Sequence, residues 1–189
     1  MKLLFISLGC DKNLVDSEEM LGMLAADGHQ IVDDEDEAEV IIINTCCFIG
    51  DAKEESVNTI LEMAEKKKAG TCKVLIVTGC MAQRYKKEIS EEIPEVDAIL
   101  GTTSYGEIVK AVKEAQAGRH FEEYKSIDYL PDISGKRMLT TGGHFAYLKI
   151  AEGCDKHCTY CIIPKLRGSY RSVPMEELVK EASSLAQQG

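Results

Sequence analysis

The sequence lacks any apolar run near the ~20 residues that a helix needs to cross a bilayer. It also has little that resembles a secretion signal, because Lys2 alone precedes a short apolar stretch at residues 3–6. Basic residues are few: 22 Lys and Arg stand against 32 Asp and Glu, for a formal net charge of -10. The acidic side chains concentrate at residues 33–39, and such a surface repels phosphate. We therefore expect a cytoplasmic protein with no membrane contact and no direct binding of nucleic acid by this segment.

Internal repeats and low-complexity tracts are also absent, and the chain instead alternates apolar runs with helical patterns. The apolar runs are rich in Ile, Val and Leu, as buried parallel strands are, and lie at residues 2–8, 40–45, 73–78 and, more weakly, 98–100. Helical spacing follows at 14–26, at 51–68, after Cys80, and after a capping box formed by Ser104 and Glu107. This alternation predicts an α/β fold with an open, doubly wound parallel sheet over residues 1–118.

The rest of the chain predicts a linker and the start of a second unit. Residues 119–143 mix Pro and Gly with no sustained period, which is typical of a linker. Residues 145–150 (FAYLKI) have the composition of a new strand, and Pro174 stands at the start of a helical pattern. Because domains usually contain ~100 to 200 residues, the chain has room for one full core and the beginning of another domain at 144–189.

Three of the eight cysteines form a compact motif in this second unit. Cys154, Cys158 and Cys161 follow the predicted strand with C-x3-C-x2-C spacing. Cysteines in a reducing compartment favour metal binding over disulfides. Three thiolates on one loop can bind three irons of a cubic 4Fe-4S cluster and leave the fourth iron open. A structural zinc site that adds His157 is the alternative, although the sequence has no second C-x2-C knuckle.

Three further cysteines share a position in the predicted sheet. Cys10, Cys46 and Cys80 each follow a predicted strand and precede a helix. In a parallel sheet these positions lie at the carboxyl edge, where ligands bind. Any one of them alone would be better explained as a small buried hydrophobe, but the shared position predicts a second cluster site. Cys47 should point elsewhere and Cys72 lies at the opposite edge, so both are assigned to packing or the surface.

A short basic patch follows the C-x3-C-x2-C motif. It consists of Lys165, Arg167 and Arg171. These side chains could contact a cosubstrate or an acidic substrate group, or they could form a solvated face. The sequence leaves both interpretations open.

The cysteine segments closely resemble those of the methylthiotransferases of the radical S-adenosylmethionine class. The matching segments are SLGCDKNLVDSE, NTCCFIGDAKEES, GCMAQRY and EGCDKHCTYCIIPKLRG. The resemblance implies an N-terminal domain whose Cys10, Cys46 and Cys80 hold an auxiliary 4Fe-4S cluster. It also implies that residues 144–189 are the first strand-helix unit of a partial barrel, in which S-adenosylmethionine binds the open iron and yields a deoxyadenosyl radical. Tyr160 is then expected near the adenine.

Within the family, the SLGC-x-KN segment and the Phe-Ile pair that follows the cysteines in NTCCFIGDAKEES are similar to the type that modifies an aspartate on a small-subunit ribosomal protein. The resemblance implies that one S-adenosylmethionine methylates the transferred sulfur and a second generates the radical. The implied partners are that ribosomal protein and an electron donor such as flavodoxin or ferredoxin. Two alternatives stay open: the same chemistry on a tRNA adenosine, and a non-catalytic iron-sulfur or zinc binding module.

The sequence departs from the family pattern in two ways. Val173 stands where the family usually has Arg, which removes one candidate polar contact. The later barrel strands and the C-terminal TRAM domain are not in the sequence either, and one strand-helix unit cannot close a barrel. We therefore expect an incomplete fragment that is inactive alone.

Overall fold

Six parallel strands form the main sheet in the computed structural model, which describes residues 1–131 and 137–188. The strands are β1 (Lys2–Ser7), β2 (Gln30–Ile31), β3 (Val40–Thr45), β4 (Val74–Gly79), β5 (Ala98–Leu100) and β6 (Phe121–Glu123). Their order across the sheet is β2-β1-β3-β4-β5-β6, and every neighbouring pair is parallel. The predicted open parallel sheet is confirmed.

The two central strands explain why the sheet forms here. Every residue of β3 and β4 is buried, and both strands are dominated by Val, Leu and Ile. Val40 pairs with Val74 and Thr45 with Gly79, so the two strands end level with each other. Continuous burial of this kind requires cover on both faces of the sheet.

Helices supply that cover from both sides. On one face, α1 (Asp11–Ala26) contributes Met20 and Leu24, and α5 (Ile108–Gln116) contributes Ile108 and Val112. The opposite face is covered by the helices α2 (Gly50–Lys68), α3 (Cys80–Arg84) and α4 (Lys86–Glu92). Helices on both faces of one parallel sheet make the fold doubly wound, as predicted.

The predicted capping box at Ser104 is wrong. A turn of 3-10 helix, Tyr105–Glu107, precedes α5, and no side-chain hydrogen bond caps it. The Ser104 hydroxyl instead accepts the backbone N–H of Lys125 at 2.8 Å. Glu107 is drawn to the same segment, because its carboxylate accepts from the Lys125 ammonium at 2.6 Å. Both groups therefore fix the chain beyond β6 rather than the start of the helix.

The sheet extends past Gly118, into the segment predicted as a linker. Strand β6 pairs with β5 in parallel, with Ala98 opposite Phe121 and Leu100 opposite Glu123. A three-residue edge strand that reads Phe-Glu-Glu has too few apolar residues to be recognised from its pattern. Residues 132–136 of the expected linker, and Gly189, lie outside the described residues. The division of the chain into two domains stays a prediction.

The strand predicted at residues 145–150 is not formed. A two-stranded antiparallel ribbon instead pairs β7 (Ala151–Glu152) with β8 (Arg171–Ser172). Lys149 is buried against acidic groups of α1, so its side chain faces the first unit. Val173 is buried and its amide donates to Ile150 O at 3.0 Å. Among the described residues no strand pairs with 145–150, and strand propensity alone does not form a strand.

The remaining elements are two helices after the cysteine-rich loop. They are α6 (Ile163–Arg167) and α7 (Met175–Gln188), and α7 begins directly after Pro174 as predicted. No residue of α7 is buried. In the part of the chain that the structure describes, no helix has the length and apolar content needed to cross a membrane. Whether residues 144–189 start a partial barrel stays a prediction.

Candidate functional site

The strand order creates a binding position at the carboxyl edge of the sheet. Because β2 lies outside β1 while β3 lies on the other side of β1, the direction of winding reverses between β1 and β3. Cys10, Cys46 and Cys80 leave the sheet at the ends of β1, β3 and β4, which are adjacent strands. All three line one cavity of about 1060 Å³. The structure therefore brings these three thiols together at the edge that their positions predicted.

Two glycines allow the chain to turn into this cavity. Gly9 and Gly79 directly precede Cys10 and Cys80 and have φ angles of +94° and +93°. A Cβ on Gly9 would lie 2.6 Å from Cys46 Cβ, and a Cβ on Gly79 would lie 2.6 Å from Thr45 O. Backbone and side chains therefore approach so closely that a side chain has no room at either position.

Asn13 ties the cysteine loops to each other, and the sequence analysis gave it no role. Its side-chain amide donates to Leu8 O and to Thr45 O, both at 2.9 Å, and so joins the loops after β1 and β3. Its backbone carbonyl accepts from Asn44 Nδ2, also at 2.9 Å. Cys80 Sγ lies 3.9 Å from Asn13 Oδ1. The KN of the SLGC-x-KN segment is the sequence signal by which this residue could have been found.

Arg167 reaches the same cavity from α6. The sequence left it open between a contact to a cosubstrate or substrate and a solvated face, and its burial excludes the solvated face. The residue is 5% exposed and lines the cavity with the three cysteines. Its guanidinium donates to Asp16 at 2.8 Å and to Glu152 at 3.0 Å. It also donates to Asn13 Oδ1 at 2.5 Å. The positive charge of Arg167, on α6, therefore lies at the carboxyl edge of the main sheet.

The other two members of the basic patch have different surroundings. Lys165 is exposed and lines a second cavity, described below. Arg171 donates to the backbone carbonyl of Arg167 at 3.1 Å and lies 3.5 Å from Asp128. The three residues therefore do not act as one patch.

The C-x3-C-x2-C loop is held by backbone contacts. Cys154 N donates to Gly168 O at 3.1 Å, and Cys161 N donates to Cys158 O at 3.0 Å. His157 has φ +46°, a left-handed conformation that residues other than Gly seldom adopt. The loop therefore depends on a strained turn between its first and second cysteines.

A second cavity of about 400 Å³ lies along this loop. It is lined by Cys158, Cys161 and Tyr160, together with groups from both units that include Phe48, Arg84, His157 and Lys165. Cys154 is not among its lining residues. Tyr160 is 88% exposed. Phe48 lines both cavities, so the two sites share a wall.

Comparison with known proteins identifies the family. A model of the Uncharacterized protein family UPF0004 matches residues 2–101, which contain Cys10, Cys46 and Cys80. The chain belongs to this family. Over 189 residues it is 63% identical to a protein of Lachnoclostridium phytofermentans named ribosomal protein uS12 methylthiotransferase RimO, and 51% identical to the protein of that name in Clostridioides difficile. It is 50% identical to the protein of that name in Trichlorobacter lovleyi. These matches confirm the family resemblance read from the cysteine segments.

The UPF0004 chain spans less than half of the length of these relatives. All of its residues align with the Lachnoclostridium and Clostridioides proteins, and they cover 43% of each. For the Trichlorobacter protein the covered share is 42%.

The two remaining cysteines of this UPF0004 chain have packing roles, in agreement with the prediction. Cys47 is buried, and its thiol donates to Cys80 O at 3.3 Å. Cys72 is buried at the amino end of β4, where its thiol donates to Val74 O at 3.1 Å. Burial raises the pKa of both thiols, which keeps them neutral.

Two opposing effects act on the pKa of the Cys80 thiol. Burial raises the pKa of the Cys80 thiol to about 11, while the positive charge of Arg167 acts to lower it. A metal that binds this sulfur as a thiolate therefore has to displace its proton.

The residues at the cavity fit an iron-sulfur cluster by the chemistry of their donors. Three cysteines without disulfide partners face one cavity, and thiolate is the ligand that such clusters require. Within residues 1–131 and 137–188, no three His, Cys, Asp or Glu side chains stand close enough to hold a single metal ion. The fit therefore rests on the thiol donors and on their location at the carboxyl edge of the sheet.

Proposed function

We propose that the protein takes part in methylthiolation of an aspartate on the small-subunit ribosomal protein uS12, with S-adenosylmethionine and two 4Fe-4S clusters as cofactors. The observation that carries the proposal is the convergence of Cys10, Cys46 and Cys80 on one cavity at the switch point of the sheet. Relatives that align with the whole chain are named uS12 methylthiotransferases, which supports the ribosomal protein as substrate. We further propose that the protein is cytoplasmic and receives electrons from a flavodoxin or ferredoxin.

Each set of cysteines has its own task in this proposal. Cys10, Cys46 and Cys80 hold the auxiliary cluster, and Cys154, Cys158 and Cys161 hold the cluster of the radical site. When bound, these groups supply a sulfur-binding iron at the first site and the electron that cleaves S-adenosylmethionine at the second. Tyr160 contacts the adenine. Phe48 lines both cavities and therefore lies between the two sites.

Residues other than the cysteines fix the positions of the loops that carry them. Asn13 holds the loops after β1 and β3 at a fixed separation, so that Cys10 and Cys46 start from defined positions. At Gly9 and Gly79 the backbone packs directly against Cys46 and Thr45, because neither residue has a side chain. Such preorganisation matters because a cofactor and a substrate must be held in one geometry for transfer.

The experiment that tests the proposal is mass spectrometry of both candidate substrates. The full protein is reconstituted anaerobically with iron and sulfide, then incubated with S-adenosylmethionine, reductant, and either uS12 or total tRNA. The expected result is one methylthio group on a uS12 aspartate, lost in Cys46→Ala and retained in the control Cys72→Ala. A mass gain on tRNA with none on uS12 would overturn the substrate assignment. Stoichiometric zinc with no iron would overturn the proposal that the protein is an iron-sulfur enzyme.

A further inference from the structure

One positive charge is buried at the auxiliary cysteine cavity, and it comes from the other cysteine segment. Arg167 belongs to α6, six residues after Cys161, yet it lines the cavity of Cys10, Cys46 and Cys80. Its side chain is 6% exposed. Lys12 also lines this cavity, but it lies at the surface, where its ammonium donates to Ala151 O at 2.8 Å. Solvent screens the charge of the exposed Lys12 much more than that of the buried Arg167.

The contacts of Arg167 fix its position from both sides. Asn13 and Asp16, both on α1, accept from its two terminal nitrogens at 2.5 Å and 2.8 Å. Glu152, in β7, accepts at 3.0 Å. Lys149 pairs with the same two carboxylates, at 3.1 Å in the case of Glu152. Two cations and two anions therefore form one buried network with no net charge.

A network of this kind is a weak source of stability, because removing four charges from water costs about as much as their attraction returns. Its specific effect is on geometry: if the guanidinium turned away from the cavity, Asp16 and Glu152 would be left with Lys149 as the one cation between them. A charge held in this way exerts a constant field on whatever occupies the cavity.

We propose that Arg167 sets the reduction potential of the auxiliary cluster. The inference rests on the proposed function, in which Cys10, Cys46 and Cys80 hold that cluster. Reduction adds one negative charge to a group that already carries three thiolates, and a buried guanidinium beside it stabilises the reduced form more than the oxidised form. Because Arg167 lies on the segment that carries Cys154, Cys158 and Cys161, docking of that segment also adjusts the auxiliary site.

The test uses the full protein with Cys154, Cys158 and Cys161 all changed to Ala, so that the auxiliary cluster alone remains. Iron, acid-labile sulfide and the midpoint potential are measured after anaerobic reconstitution. Arg167→Gln, which keeps a donor for Asn13 and removes the charge, should bind the same iron and titrate at a more negative potential. Arg167→Lys should restore most of the shift. Arg119→Met, which removes an exposed Arg that pairs with Glu114, should leave the potential unchanged.

A charge-balanced variant distinguishes an effect of the Arg167 charge on the potential from loss of folding. Asp16→Asn with Arg167→Gln removes one charge of each sign from the network and keeps it neutral. Since Arg167 lines the cavity and Asp16 does not, the potential should still fall in this variant. Equal iron with an unchanged potential in both Arg167→Gln variants would overturn the inference and leave the proposed function intact. Absence of iron from the starting variant would overturn both, because there would be no auxiliary cluster to adjust.

Discussion

At the scale of single residues, burial decides how ionisable groups of this fold behave. Glu19 lies on α1 at 9% exposure, and within the described part of the chain neither of its carboxylate oxygens has a hydrogen-bond partner. Burial raises the pKa of Glu19 from 4.5 to about 7, Lys149 acts to lower it, and Asp16 acts to raise it further. Between pH 4.5 and about pH 7, the folded protein therefore retains on Glu19 a proton that the unfolded chain has lost.

This retained proton predicts a pH dependence of stability. Below pH 4.5 Glu19 is protonated in both states and imposes no penalty. As the pH rises towards 7, the unfolded chain releases its proton first, so the free energy of unfolding falls, and above pH 7 the loss is complete. Glu19→Gln should therefore be more stable than the wild type at pH 8, by up to about 3 kcal/mol, and similar to it at pH 4. Urea unfolding at both pH values measures the difference.

The control for this prediction is Glu62→Gln, at an exposed position of α2, which should change stability little at either pH. An equal gain for Glu19→Gln at pH 4 and pH 8 would show that packing, and not ionisation, is responsible.

A second residue-level prediction concerns the glycine before Cys80. Gly79→Ala forces a positive φ on Ala and drives its Cβ against Thr45, so it should cost roughly 3 kcal/mol of unfolding free energy. Gly70 is a matched control, because its φ is +86° and a Cβ there meets nothing within 4 Å. Gly70→Ala should cost about 1 kcal/mol, from the conformation alone. Thermal and urea unfolding compare the two, and equal losses would contradict the close approach at Gly79.

At the scale of elements, the sequence predicts most reliably what local chemistry decides. Strands β3 and β4 are continuous apolar runs and are formed as expected, and α7 begins after Pro174. Strand β6 was missed because three residues with two glutamates carry no strand pattern. The predicted strand at 145–150 was wrong because a strand needs a partner from elsewhere in the chain, and none pairs with it among the described residues. Arg167 was left undecided for the same reason, since its partners lie on distant segments.

The Lys149 contact gives an element-level prediction. Lys149→Met leaves Asp16 and Glu152 with one cation between them, and breaking a buried pair from one side should cost roughly 3 to 5 kcal/mol. Adding Asp16→Asn should recover part of that loss, because it removes the carboxylate left unpaired. The exposed pair Lys87 and Glu91 serves as a control, and Lys87→Met should cost at most about 1 kcal/mol. A double-mutant cycle measures the coupling. Additive losses for Lys149 and Asp16 would contradict the network.

At the scale of the whole molecule, two cysteine sites are joined by a shared wall and a shared ion network. Phe48 belongs to both cavities, and Arg167 carries a contact from the second segment into the edge of the sheet. The position of the three strand-end cysteines followed from the sequence, because strand ends in a parallel sheet meet at one edge. The linkage of the two sites did not, because Asp16 and Glu152 show no pattern until the chain is folded.

The central claim is that each cysteine set holds its own cluster, and iron content tests it most directly. The full protein, reconstituted anaerobically, should bind about eight irons per chain with matching sulfide. Changing Cys10, Cys46 and Cys80 together to Ala should remove about half, and Cys158→Ala should remove about the other half. The double variant of Cys47 and Cys72 to Ala should retain all of it. Near-complete loss from either set alone, or no loss from the strand-end set, would contradict the claim.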